Sequence, residues 1–287
     1  MIAVKIALFL NPTKVGIFEY AKHVVEKLNT IGAEVYFCEN YGQSLFEKYV
    51  YLKNDINELV NFCDVVLTLG GDGTIIHFAK YAAKFSKPIL GINLGRLGFV
   101  TGLEKNELDK LERLVDGQYS LQQRALLEVS VYTEDNDVKV FWALNDAVIS
   151  RGFNAKIVDF IVKLNGGEVC KYRADGIISA TSTGSTAYSL SAGGPIISPD
   201  VDCVLLTPIC SHSIFAKPIV FSKRDSIDII AKTAIDADLS LVVDGNNVLD
   251  FSNYCKLNVK CANKKVSVIT FDERCFCKRL AEKLLDK

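Results

Sequence analysis

CDVVLTLGGDGTIIHFAKYAA, residues 63–83, contains a strand, a bare loop and a helix in one line. CDVVLTL (63–69) reads as a continuous apolar run, the mark of a strand covered on both faces. Beyond the loop, Ile75, Phe78, Ala79, Ala82 and Ala83 recur at i, i+3, i+4, i+7 and i+8, one face of a helix. Between them Gly70, Gly71 and Gly73 strip the backbone of side chains and leave one acid, Asp72.

The same alternation extends in both directions. VKIALFL (4–10) reads as a buried first strand ending at Asn11-Pro12. FEYAKHVVEKLNTIG (18–32) is an amphipathic helix stopped by Gly32, and AEVYF (33–37) is a second strand. Downstream, PILGINLG (88–95) is a strand and KNELDKLERLVDG (105–117) a helix. Strands alternating with helices argue a parallel, doubly wound, Rossmann-like sheet over residues 1–125. From about residue 126 the period drops to two. LLEVSVYT (126–133) leads to a turn at Glu134-Asp135-Asn136-Asp137, and VKVFWALNDAVIS (138–150) follows. KIVDFIVKLN (156–165), a Gly166-Gly167 turn and EVCKYRADGIISAT (168–181) come next. SIDIIAK, LSLVVDG, NVLDF, KLNVKC and KVSVITF continue the pattern. Residues 126–272 therefore form a mainly β domain. Residues 273–287 form a terminal helix, expected to pack back on the first domain.

Composition narrows the function classes. A chain of 287 residues with net charge −1 carries no field to recruit nucleic acid or an anionic membrane. No stretch reaches the length of a membrane span. The first strand is too short an apolar run for a signal peptide. Nine cysteines without a CxxC pair, and with no histidine near Cys275 and Cys277, read as reduced thiols of a cytoplasmic protein. The three histidines, at 23, 77 and 212, are dispersed, and no GxSxG elbow is present.

The loop at 70–73 admits two readings. It is a tight turn in which Asp72 helps to cap the helix, or it is a phosphate cradle. Ligands of open α/β sheets bind beyond the carboxyl ends of the strands. Glycines let phosphate oxygens reach backbone N–H groups at a helix N-terminus. Thr74 offers an alternative cap, which frees Asp72. An acid beside phosphates suits a general base for a hydroxyl, or a group that helps to place Mg²⁺.

A second polar cluster runs from Tyr172 to Pro199. Thr181, Ser182, Thr183, Ser185, Thr186 and Ser189 crowd hydroxyls around Gly184, a surface that suits close approach of a nucleotide. Tyr188 offers a stacking face. Asn145-Asp146 interrupts an apolar strand, as a bulge or strand end, or as a ribose contact. Phe99 sits in a Gly-punctuated loop, NLGRLGFVT (93–101), as a core plug or a platform. Asp244-Gly245-Asn246-Asn247 reads as a hairpin turn.

Taken together these motifs resemble the NAD kinase family, in a consistent order along nearly the whole chain. Asn11-Pro12, Gly70-Gly71-Asp72-Gly73-Thr74, Leu97-Gly98-Phe99, Asn145-Asp146, Thr183-Gly184-Ser185-Thr186-Ala187-Tyr188 and Asp244-Gly245 carry the likeness. The Gly-Gly-Asp-Gly-Thr loop alone is shared with diacylglycerol and sphingoid kinases. The resemblance implies ATP-dependent phosphorylation of NAD on the 2′-hydroxyl of the adenosine ribose, with a divalent metal such as Mg²⁺. It implies Asp72 as the base, with Gly71 and Gly73 against phosphates. Asn145 and Asp146 would hold the ribose. Thr183, Thr186, Ala187, Tyr188 and Ser191 would line the nucleotide site, with Phe99 near the adenine. Arg173 and Asp175 would reach the nicotinamide end from a neighbouring subunit of a dimer or tetramer, and Cys210 and Asp244 would line the site. Two positions depart from the family pattern: Asp146 replaces the usual Glu, and Ser182 the usual Pro. A lipid kinase of the diacylglycerol class and a nucleotide-binding sensor without turnover are the competing readings.

Overall fold

The computed structural model describes residues 3–38, 51–53, 55–132, 137–152, 156–213, 216–235, 237–271 and 275–285. The turn expected at Glu134–Asn136 lies outside the described residues. The chain divides into two compact units: residues 1–123 with 265–287, and residues 124–264. Residues 265–271 thus belong with the first unit, although their strand pattern alone groups them with the β-rich region. No helix is long and apolar enough to cross a membrane among the described residues.

In the first unit five strands run parallel in the order Tyr51–Lys53, Glu34–Cys38, Lys5–Leu10, Val65–Gly70 and Ile89–Asn93. Leu8 pairs with Leu67, and Leu67 with Leu90. Side chains alternate across a strand. Ile6, Leu8 and Leu10 pack in one cluster with Ile17, Ala21, Val24 and Leu28 of the helix Ile17–Thr30. Phe9 turns to the opposite face and stacks on Phe78 of the helix Asp72–Lys84, ring centres 4.0 Å apart. Helices therefore cover both faces, as the apolar run at 63–69 requires. Ile75, Phe78, Ala79, Ala82 and Ala83 are all buried. The segment 105–117 holds less helix than its pattern suggests: a 3₁₀ turn Leu108–Lys110 and one α-turn Leu111–Val115, closed by Gly117 at φ 70°.

The second unit is built from antiparallel strands. A six-stranded sheet runs Ile219–Ser222, Cys203–Ile209, Gly176–Ala180, Asp146–Arg151, Leu239–Val243, Asn246–Phe251. Gly167–Ala174, Val158–Leu164, Ile227–Lys232 and the first part of Tyr254–Thr270 pair in a second sheet. One core cluster joins Ile149, Ile177 and Leu241 of the first to Phe160, Ile229 and Leu257 of the second. One expected element differs: KLNVKC and KVSVITF form a single strand, Tyr254–Thr270. VKVFWALNDAVIS breaks into Val138–Ala143 and Asp146–Arg151, at the interruption read from Asn145-Asp146.

Candidate active site

The strand order of the first unit reverses between Lys5–Leu10 and Val65–Gly70, and their carboxyl ends flank the crevice where such sheets bind ligands. Asn11-Pro12 leaves one strand and the glycine loop leaves the other. Leu10, Asn11, Pro12, Gly73, Thr74, His77 and Phe78 line a cavity of about 280 Å³ there. Burial and the charge of Lys80 lower the pKa of His77. The glycines have separate reasons. A Cβ on Gly70 would stand 2.2 Å from Thr74 Oγ1, so this glycine is required by packing. A Cβ on Gly73 would meet nothing within 4 Å, so the protein itself does not need that glycine bare.

Asp72 opens its helix, and neither it nor Thr74 caps it. Gly71 is the N-cap, in extended backbone, without a side-chain cap. The Asp72 carboxylate turns instead to the 98–101 loop. Oδ2 accepts the N–H of Phe99 at 2.6 Å, and Oδ1 accepts those of Val100 and Thr101 at 3.0 and 3.2 Å. A carboxylate has about four lone-pair sites. Oδ1 is filled by this count, and among the described residues Oδ2 keeps one site open. The sequence motif Leu97-Gly98-Phe99-Val100-Thr101 is thus the backbone cradle of Asp72. The Phe99 ring lies 6.0 Å from Phe276 and under Lys283, both on the helix Cys275–Leu285.

In the second unit an acid plays a similar part. Asp244, in a hairpin turn with Gly245 (φ 46° and 78°), accepts the backbone N–H groups of Leu144, Asn145 and Asp146 at 2.8, 2.8 and 3.1 Å. This role was hidden by the hairpin pattern around it. The Asn145 backbone is fixed further by Thr181, whose N–H donates to its carbonyl at 2.9 Å. A Cβ on Gly184 would lie 2.0 Å from that same carbonyl, so Gly184 lets the 181–188 turn seat against Asn145. Every backbone group of Asn145 is engaged, while its side-chain amide has no hydrogen bond among the described residues. Asp146 is 6% exposed, and burial, with the Asp244 charge second, pushes its carboxyl up to about 7.

The hydroxyl cluster points inward, contrary to the surface its composition suggests. Thr181 donates to Leu144 O at 2.6 Å and Ser185 to Ser182 O at 2.6 Å, while Ser189 pairs with Thr207 at 2.8 Å. These hydroxyls build the turn. Thr183 is buried too, with its hydroxyl 3.5 Å from Arg124. Thr186 and Ala187 are half-buried, and Tyr188 and Ser191 are exposed. Tyr188 therefore has a face to offer.

Arg173, Asp175 and Cys210 are not gathered at Asn145. They cluster at the other end of the strand Gly176–Ala180, roughly 15 Å away for five residues. Asp175 holds Arg151 at 3.1 Å, and its backbone N–H donates to the Ile209 carbonyl at 3.0 Å. Arg173 lies 3.7 Å from Asp159 and lines a cavity of about 480 Å³ with Lys156 and Lys232. Cys210 is exposed, at φ 45°.

Comparison with known proteins identifies the family. Residues 6–119 match the ATP-NAD kinase N-terminal domain, and residues 144–271 the ATP-NAD kinase C-terminal domain. An NAD kinase of Caldanaerobacter subterraneus subsp. tengcongensis is 37% identical over 286 residues, covering 99% of both chains. An NAD kinase of Carboxydothermus hydrogenoformans is 40% identical, covering 80% of this chain and 82% of its own. Among solved structures, yeast NADH kinase complexed with NADH superposes with a TM-score of 0.88 at 26% identity, over 98% of this chain and 87% of that one. An NAD kinase from Archaeoglobus fulgidus in complex with ATP gives a TM-score of 0.73 at 28% identity, over 97% and 98%. The chain belongs to the NAD kinase family.

Proposed function

We propose that this protein moves the terminal phosphoryl group of ATP to the 2′-hydroxyl of the adenosine ribose of NAD, giving NADP and ADP. The observation that carries the reading is Asp72: a carboxylate fixed by three N–H groups, with one acceptor site left on Oδ2, beside a glycine loop at the strand switch point. Phosphoryl transfer asks a protein mainly for positioning and charge stabilisation. Asp72 takes the proton of the acceptor hydroxyl. The ATP phosphates lie in the cavity at Gly73, against the N-terminus of the helix Asp72–Lys84. The divalent cation comes with ATP as part of the substrate. Among the described residues no group of three or more His, Cys, Asp or Glu is placed to hold a metal ion.

The free amide of Asn145 and the carboxyl of Asp146 serve the ribose, and exposed Tyr188 stacks on the nucleotide, with Thr183, Thr186, Ala187 and Ser191 around it. The distance from Asn145 to Arg173, Asp175 and Cys210 supports a role for these three at the nicotinamide end, from a neighbouring copy in a homo-oligomer. The thiols of the described cysteines fit the reducing cytoplasm.

The test is direct. Purified protein with NAD, ATP and Mg²⁺ forms NADP, read by a dehydrogenase that accepts only NADP, and a chelator stops it. A parallel reaction offers diacylglycerol in place of NAD. Phosphorylated lipid without NADP would replace this reading by a lipid kinase; bound NAD without turnover would leave a sensor.

A further inference from the structure

The terminal helix brings one cation, Lys283, to the Asp72 loop and carries a second, Arg279, one turn earlier. Lys283 Nζ lies 3.9 Å from the centre of the Phe99 ring, and Phe99 N–H is the group that holds Asp72 Oδ2. Lys283 and Asp72 feel each other's charge without forming an ion pair. Arg279, one turn earlier, is only 7% exposed. Its charge reaches both Lys283 and Glu107. Neither cation has a hydrogen-bond acceptor or an ion-pair partner within contact distance among the described residues. An ammonium offers three N–H donors and a guanidinium five.

The bland account is a clamp, in which Lys283 and Phe276 pin Phe99 in place. That explains the Lys283 stem. It leaves two like charges, Arg279 and Lys283, at i and i+4, where they repel. An anion at Lys283 relieves that repulsion, and the neighbouring acid with an open acceptor site indicates which anion.

We propose that Lys283, backed by Arg279, binds the phosphoryl group during its transfer, so that the C-terminal helix is part of the active site. The ligand class is the terminal phosphate of a polyphosphate ester. This rests on the reading of Asp72 as the base. In the step, the acceptor oxygen forms a bond to phosphorus as the bond from phosphorus to the bridging oxygen breaks. The hydroxyl proton passes to Asp72 Oδ2, and ADP leaves with the bonding pair. Lys283 and Arg279 balance the charge spread over the oxygens of the group in flight, a role worth large factors in other phosphoryl-transfer enzymes.

The experiment uses the full chain and three proteins: wild type, Lys283→Met and Lys283→Arg. Methionine keeps an apolar stem on Phe99 and removes the charge; arginine keeps the charge. Steady-state turnover, NAD affinity and calorimetric binding of inorganic tripolyphosphate are measured with melting temperature. Lys283→Met is expected to lose about 10²–10³-fold in kcat and at least about tenfold in tripolyphosphate affinity, with NAD affinity and melting temperature unchanged. Lys283→Arg recovers most of the turnover. Wild-type turnover and wild-type tripolyphosphate binding in Lys283→Met overturn the proposal and leave the kinase reading intact. A wild type that makes no NADP, with tripolyphosphate binding still lost in Lys283→Met, sinks the kinase reading and leaves the anion site.

Discussion

Oδ1 of Asp72 stands where a side chain on Gly98 would have to begin: a Cβ built on Gly98 falls 2.3 Å from that oxygen and 2.7 Å from Thr101 Oγ1. The glycine is bare so that the acid can lie across the loop and collect three N–H groups. The two motifs, Gly-Gly-Asp-Gly and Leu-Gly-Phe-Val-Thr, are therefore one device built from separate stretches of chain.

Gly98→Ala should damage activity more than stability. The Asp72 side chain is flexible and can swing clear, which limits the folding cost to about 1–3 kcal/mol. Swinging clear breaks its hydrogen bonds and misplaces the oxygen that takes the proton. A misplacement near 1 Å costs about 10²-fold in rate. Turnover measured beside melting temperature checks this; an enzyme with wild-type kcat would mean the cradle has no part in the chemistry.

Gly73→Ala should do the opposite to what a packing glycine does. Open space surrounds the site of the new methyl group, and alanine is the better helix former by about 1 kcal/mol. The variant is expected to melt no lower than wild type and to lose ATP affinity, because the methyl group enters the cavity assigned to phosphates. Equal KM for ATP in both proteins would remove Gly73 from the donor site.

Much of this was legible in the sequence where structure is local. The strand, loop and helix at 63–83 follow from periodicity alone, and Asp72 was conspicuous as the single acid among glycines. What escaped depends on distant partners. The break at Asn145-Asp146 shows in FWALNDAVI, but the acid that holds it, Asp244, lies about a hundred residues on, and nothing in FWALNDAVI announces that partner. The hydroxyls of 181–189 were visible as types, but their direction is set by carbonyls at Leu144, Ser182 and Ile197. Lys283 and Arg279 sit in an ordinary amphipathic pattern, and their interest comes only from Phe99 lying beneath one of them.

Asp72→Asn is less conservative than it looks. An amide keeps one acceptor oxygen and turns an N–H₂ toward backbone N–H groups that need acceptors. The variant should lose turnover by about 10²–10⁴-fold, the usual worth of a general base. It should also melt lower, since at least one N–H of the loop goes unpaired, at about 1–3 kcal/mol. Asp72→Asn with unchanged melting temperature would contradict the three hydrogen bonds, and near-normal turnover would contradict the base.

Asp146 makes stability depend on pH in a stated direction. Its folded carboxyl is held at about 7 by burial and by Asp244, against 3.8 in the unfolded chain. Between these values the folded protein keeps a proton that the unfolded chain releases. Its contribution is therefore complete below about pH 4 and is lost as pH rises through about 7. Asp146→Asn fixes the neutral form and removes the titration. The melting temperature of wild type minus that of Asp146→Asn should be higher at pH 5 than at pH 8. The measurement is a pair of melting curves at each pH without nucleotide. A difference that stays flat from pH 5 to 8 would mean that Asp146 is already ionised across this range, and that water or a neighbouring donor reaches a carboxylate that is only 6% exposed.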